Sequence, residues 1–284
     1  MKRIPSLLAC LAALAPLSAT AQFQAPYPSP KQAVTQTIGV TDIAVSYSRP
    51  LVKGRKIWGD LVPLDKPWRT GANQATTVTF GDDVAVEGKK LAAGTYSLVT
   101  IPGKDEWTVV FNLDTALWYR TEYNPALDIL RVKVKPVAAE YRESFEIGFR
   151  DVGPDSAKLV LAWEKLAVPV SLQVDTKGLA IARAREAVAK AKIDDWETPL
   201  GVARYYATEK VNLPEALALA EKSITIKKGF GNVAWKARIL AADGKLPDAV
   251  KTGEEAVQIA KASPDKPNAA SLEKQILDWK AGKK

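Results

Sequence analysis

Histidine is absent from this sequence, and cysteine and methionine occur once each, as Cys10 and Met1. Without histidine there is no Ser-His-Asp or Cys-His nucleophile. A lone cysteine gives no disulfide, and the two shortages together leave no zinc site of the usual nitrogen and sulfur ligands. Any chemistry must come from carboxylates, lysine, tyrosine, serine or threonine, or from a hard cation held by oxygen. Long apolar runs are missing as well. Past residue 21 nothing approaches the roughly 20 apolar residues of a membrane-spanning helix, so no transmembrane segment is expected. There is no P-loop, dinucleotide fingerprint or calcium loop, and no cofactor or metal is expected.

What stands at the start is a short cationic Met1-Lys2-Arg3, an apolar run from Leu7 to Leu17, and Ala19-Thr20-Ala21. This is the pattern of a secretory signal peptide over residues 1–21, cleaved before Gln22. Export to the periplasm or the medium is therefore expected, and a fold without disulfides there must rest on its core.

Charge divides the rest. Residues 22–175 hold 18 basic and 18 acidic side chains; residues 176–284 hold 20 basic and 14 acidic ones. Composition shifts at the same place, from Val, Thr, Tyr and Trp to Ala, Lys and Glu. Two domains are expected, 33–175 and 176–284, after a Pro-rich leader over 22–32 that reads as a tether.

The first domain alternates with period two. Ile43, Val45 and Tyr47 share a face, as do Trp107, Val109, Phe111 and Leu113. The pattern recurs at Leu130, Val132 and Val134, at Phe145, Ile147 and Phe149, at Leu159, Leu161 and Trp163, and at Val168, Val170, Leu172 and Val174. Turn signals such as Glu87-Gly88-Lys89 and Pro102-Gly103-Lys104-Asp105 punctuate these strands. About ten short strands without intervening helices predict an antiparallel β-sandwich, jelly-roll-like in character.

Between two of the strands runs a long connection, Arg49 to Asn73. Long connections in compact domains are uncommon unless they bind, cover or catalyse something. This one supplies Arg49, Arg55 and Arg69 as planar donor forks, Trp58 and Trp68 as flat apolar faces, and Asn73 as donor and acceptor together. These six are the candidate ligand-binding residues, for a small polar ligand, a glycan or a peptide. The alternative is structural: both indoles plug an open end of the sandwich, Arg49 and Arg69 pair with local acids such as Asp60 and Asp65, and Gly71 serves a turn.

Ser29-Pro30-Lys31, Gln36-Thr37-Ile38-Gly39, Tyr47-Ser48-Arg49-Pro50, Lys53-Gly54-Arg55, Trp68-Arg69-Thr70-Gly71-Ala72-Asn73, Ala93-Gly94-Thr95-Tyr96-Ser97-Leu98 and Ile101-Pro102-Gly103-Lys104-Asp105-Glu106-Trp107 follow one another in order. Together they resemble a bacterial family of exported domains, domain of unknown function 2911, over roughly residues 29–174. The resemblance implies export and a domain boundary, and it brings no catalytic residues.

Other chemistry is thinner. Glu106 with Asp60 or Asp65 would suit a carboxylate pair for glycoside hydrolysis. Asp82-Asp83 lacks the further oxygen ligands of a calcium site and reads as a solvated turn.

From Leu179 onward apolar residues recur at helical spacing in Ala-rich segments. Leu213-Pro214-Glu215-Ala216-Leu217 matches Leu246-Pro247-Asp248-Ala249-Val250 at an offset of 33. That period, with Gly244 at a turn and a stop at Ser263-Pro264-Asp265, resembles tetratricopeptide repeats. Two are expected, over 196–227 and around 244–265, flanked by helices near 178–192 and 269–281. In the first, Val211-Asn212 takes the place of the turn glycine. Such arrays leave a curved surface that holds peptide or protein, and the basic excess favours acidic partners or anionic envelope components, beside the ordinary reading of solvated lysines on helix faces. No nucleic-acid motif is present. The expectation is an exported binding or interaction protein rather than an enzyme, with a carboxylate-dependent envelope hydrolase or a purely structural scaffold as alternatives.

Overall fold

The computed structural model describes residues 26–116 and 123–283. The expected signal peptide over 1–21 lies outside the described residues, as does the first part of the leader. The chain divides into two compact units, one formed by residues up to 37 with 42–152 and 156–173, the other by 174–284 with the short pieces 38–41 and 153–155.

The first unit is built of antiparallel sheet. Its strands among the described residues are β1 (Lys31–Ile38), β2 (Thr41–Ser48), β3 (Thr77–Phe80), β4 (Val84–Val86), β5 (Lys89–Leu91), β6 (Gly94–Ile101), β7 (Trp107–Asn112), β8 (Asp128–Val134), β9 (Val137–Arg150) and β10 (Ser156–Val174). Six form one sheet in the order β1-β2-β3-β6-β7-β8, and four form another in the order β5-β4-β10-β9. On β2 the alternation is as the sequence predicts, with Ile43, Val45 and Tyr47 inside and Asp42 exposed. Strands β6 and β7 are buried on both faces over most of their length, because Ala75, Ile101 and Tyr123 also cover Val99 and Val110 on the face away from the core.

Three expectations change. Leu113 falls beyond the end of β7 and is exposed. The runs Leu159–Trp163 and Val168–Val174 are one strand, not two. Their phases differ by one residue, and the pairing of β10 with β9 shifts on both sides of Glu164, which adopts a left-handed φ of 54°. An irregularity of this kind re-aims side chains without ending a strand, so both runs face the core. The leader is also shorter than expected. Strand β1 begins at Lys31, the Ser29 carbonyl accepts from Asn73 Nδ2 at 2.9 Å, and the Pro30 carbonyl accepts from Arg49 N at 2.9 Å.

Tyr47 ties the sheets together. Its hydroxyl on β2 accepts from the Ile147 backbone N–H of β9 at 2.9 Å and lies 2.8 Å from Gln32 Oε1, while its ring meets Phe145 edge-on. Burial raises its pKa above the ordinary tyrosine value.

The second unit holds α1 (Thr176–Lys190), α2 (Glu197–Thr208), α3 (Leu213–Ile226), α4 (Phe230–Ala242), α5 (Leu246–Ala262) and α6 (Ala270–Lys280). Asp175 caps α1 by accepting from Gly178 N at 2.9 Å. Pro214 and Pro247 open α3 and α5, where a missing N–H is no loss. The matched Ala216 and Ala249 are both fully buried, the small residues of two equivalent helices. The α2–α3 turn needs left-handed backbone at Lys210 and Asn212, with φ of 52° and 46°, whereas Gly244 supplies it between α4 and α5 with φ of 84°. A buried polar link that periodicity does not reveal joins the same elements: the Ser223 hydroxyl donates to the Trp196 carbonyl at 2.8 Å and accepts from Asn232 Nδ2 at 3.1 Å. Among the described residues no helix is long and apolar enough to cross a membrane.

Candidate functional site

The connection from β2 to β3 is stitched into both sheets. Leu51 bridges Ser144 of β9, and Trp68 bridges Thr100 of β6. Val52, Ile57 and Val62 are buried within it. At Lys53-Gly54 the chain reverses with φ of 48° and 67°, the left-handed pair a tight hairpin needs, and Arg55 N closes the turn on Val52 O at 3.1 Å.

Trp58 and Trp68 point inward. Trp58 meets Trp107, Trp163 and Trp68 with centroids 4.9, 5.9 and 5.9 Å away, and Trp68 stacks on Trp163 and meets Phe145 edge-on. Five aromatic rings from the connection, β7, β9 and β10 thus form one cluster. Offset and edge-on pairs add about 0.5–1.5 kcal/mol each beyond area burial, so these indoles act first as core.

The block after Trp68 is built for close approach. Thr70 is fully buried with a left-handed φ of 57°, rare for a β-branched residue; its hydroxyl lies 3.1 Å from Thr100 Oγ1, and its carbonyl accepts from Thr76 Oγ1 at 2.7 Å. At Gly71, with φ of 153°, a Cβ would lie 2.9 Å from Thr76 Oγ1 and 3.0 Å from the Ser48 carbonyl, so only glycine fits. Asn73 holds Ser29, as above.

The three arginines separate. Arg55 caps its own hairpin, donating to the Val52 and Leu51 carbonyls at 3.0 and 2.5 Å. Arg69 makes no hydrogen bond or ion pair among the described residues; its Nε is buried without a partner, as is Trp58 Nε1, and burial lowers its pKa from the ordinary arginine value. Arg49 leaves the connection and joins β9, donating from Nε to the Phe145 carbonyl at 2.9 Å and placing Nη2 3.9 Å from Glu146 Oε2. The six sequence candidates therefore do not line one open pocket. Two are core, two fasten backbone, one has no partner among the described residues and one belongs to another surface.

That surface is the face of the β9–β10 pair away from the core. Glu146 is reached by Arg142 Nη1 at 2.6 Å and Arg150 Nη2 at 3.5 Å, besides Arg49. Beside it lies a depression of about 150 Å³, with Gly148, Val160, Ala162 and Ala167 among its lining residues. Residues two apart on one strand share a face, and cross-strand partners stand opposite; Val160 pairs with Gly148 and Ala162 with Glu146. Small side chains make a floor, and long charged ones make a wall. Three guanidiniums on one carboxylate leave an excess of positive charge, reduced by Glu140 at the rim. Sequence reading missed Arg142, Glu146 and Arg150. The available signal was their spacing, since all occupy even positions of β9, opposite in phase to Phe145, Ile147 and Phe149.

The acids considered for hydrolysis lie elsewhere. Asp65 N donates to the Pro102 carbonyl at 2.7 Å, and a Cβ at Gly103 would sit 3.8 Å from Asp65 Oδ1, so Asp65 stands beside the turn leading to Glu106. Glu106 Oε2 is 3.8 Å from Lys133 Nζ. Among the described residues no three acidic, cysteine or histidine side chains gather as a metal site.

Residues 29–172 match the profile of a family described as "Protein of unknown function (DUF2911)". No curated protein and no solved structure matches the chain.

Proposed function

The chain belongs to this family of proteins of unknown function, whose description names no activity, and from its own surface we propose a non-catalytic binding protein acting after export. Its first unit, a sandwich of jelly-roll-like character, holds a small anionic ligand through a carboxylate, phosphate or sulfate group. Its second, an array like tetratricopeptide repeats, holds a protein partner.

The convergence of Arg49, Arg142 and Arg150 on Glu146 above a floor of small residues carries the first part. Arginine's planar fork matches such anions bidentately. A ligand oxyanion would take guanidinium N–H groups that Glu146 leaves unused, and β9 holds Arg142 and Arg150 at fixed spacing. Thermal unfolding with a panel of uronates, citrate, phosphate and sulfated saccharides tests it. Anions should stabilise the protein, the effect should vanish in Arg142→Ala and Arg150→Ala, and it should persist in Arg55→Ala. Equal stabilisation by neutral sugars, or anion effects unchanged in Arg142→Ala, would overturn it.

One observation favours the hydrolase alternative, namely that Asp65 lies beside the Gly103 turn that leads to Glu106. Turnover of a glycan that disappears in both Asp65→Asn and Glu106→Gln would replace the binding reading.

A further inference from the structure

Across the second unit, side chains of α2, α4 and α6 form a continuous row. The Arg204 guanidinium of α2 lies 5.1 Å from the centre of the Trp235 indole of α4, and the Arg238 guanidinium of α4 lies 5.0 Å from the same ring. Arg238 Nε then donates to Gln275 Oε1 of α6 at 2.9 Å. Trp235 packs against the core that includes Val202 and Ile239. Two cations therefore share one aromatic ring.

Among the described residues no acid is paired with either of them. Acids elsewhere in this unit pair with other bases: Glu215 with Arg185, Glu221 with Lys236, Asp243 with Lys245, Glu273 with Lys261. Neither Arg204 nor Arg238 forms an ion pair among the described residues. Burial, and then the charge of Arg204, lower the pKa of Arg238 from its ordinary value. A like-charged pair on one ring is relieved by an anion.

The backbone beside the row is unusually bare. Gly201, one turn before Arg204 in the interior of α2, has open space where a Cβ would stand, and so does Gly231, one turn before Trp235. Glycine is disfavoured inside a helix, as at Gly201 of α2, whereas Gly231 stands in the first turn of α4, and packing requires it at neither place. What glycine provides there is close access to the helix surface.

We propose that this face of α2, α4 and α6 binds an acidic peptide segment of a partner protein, with a carboxylate held by Arg204 and Arg238 and the peptide backbone crossing the glycines. Neighbouring helices pack about 8–10 Å apart, so the row spans roughly 20 Å. An extended peptide of about six residues covers that length, whereas a single small anion covers only the arginine pair. The Gln275 amide adds a donor and an acceptor suited to peptide backbone. This inference rests on the reading of the second unit as the holder of a protein partner, and not on the Glu146 surface.

The experiment uses the full chain and a fluorescein-labelled peptide alternating glutamate with leucine, beside a twin carrying glutamine for glutamate. Fluorescence anisotropy should show binding of the acidic peptide alone. Arg204→Ala and Arg238→Ala should each weaken it by about tenfold, the worth of one charge-assisted hydrogen bond. Gly201→Leu should weaken it too, and Lys222→Ala on α3 should leave it unchanged, with circular dichroism establishing that every variant is folded. The proposal is overturned if neither peptide binds, if both bind equally, if Lys222→Ala weakens binding as much as Arg238→Ala, or if the arginines are needed for phosphatidylglycerol vesicles and not for the peptide.

Discussion

Trp68 lies nearly parallel to Trp163, with ring centroids 5.9 Å apart and planes 17° apart. One ring comes from an irregular connection and the other from the longest strand, so the connection is part of the core it closes. Removing a large aromatic from such a cluster costs about 3–5 kcal/mol. Because Trp68 is only half-buried, Trp68→Ala should lose about 3 kcal/mol, read as a lower urea midpoint at unchanged slope.

Arg69 should behave in the opposite way. Its Nε is a buried donor without a partner, and an unmet donor costs about 1–3 kcal/mol when fully buried. With the residue half-exposed, Arg69→Met should raise stability by about 1 kcal/mol, measured by the same urea titration. A loss of stability would mean that the guanidinium is held by an interaction absent from this structure.

Lys210 occupies a left-handed position that Gly244 fills in the following helix pair. Left-handed backbone costs a side-chain-bearing residue about 1–2 kcal/mol, partly offset by the greater freedom glycine has when unfolded. Lys210→Gly should therefore stabilise the second unit by about 0.5–1 kcal/mol, and Gly244→Ala should destabilise it. Hydrogen exchange of α2–α5 amides would report both.

Tyr123 gives a pH dependence with a definite sign. Burial first, then its hydrogen bond to Asp128, push its pKa up from 10.0 to about 12, against the opposing influence of Arg131. The folded state thus keeps the proton that the unfolded state gives up. Its contribution to stability is complete below pH 10.0 and is lost as pH rises through about 12. Subtracting the ultraviolet titration of Tyr123→Phe from that of the natural protein should leave one tyrosine titrating near 12, and the variant should lose less stability over that range.

Strand and helix existence were legible because each rests on local period. The alternation at Ile43, Val45 and Tyr47 needs only a sheet with one wet face, and the repeat at Leu213 and Leu246 needs only equivalent helices. The doubly buried β6 shows no such alternation, and on β7 the period read at Trp107, Val109 and Phe111 did not tell that Val110 and Asn112 on the other face are buried too; the phase change near Glu164 looked like a strand break because period alone cannot distinguish a bulge from a turn. The connection was recognised from its composition, yet composition does not say which way an indole points.

The sequence alone determined the class of architecture, the family, the repeat period and the exclusion of histidine chemistry, since these depend on residue identity and spacing along the chain. Only the tertiary structure decided that Trp58 and Trp68 enter the core, that Arg49 joins Arg142 and Arg150 on Glu146, and that Arg204 and Arg238 share Trp235. The physical reason is distance. Arg49 and Glu146 are far apart in sequence, and their contact exists because the connection is pinned to β9 by hydrogen bonds that no local pattern announces.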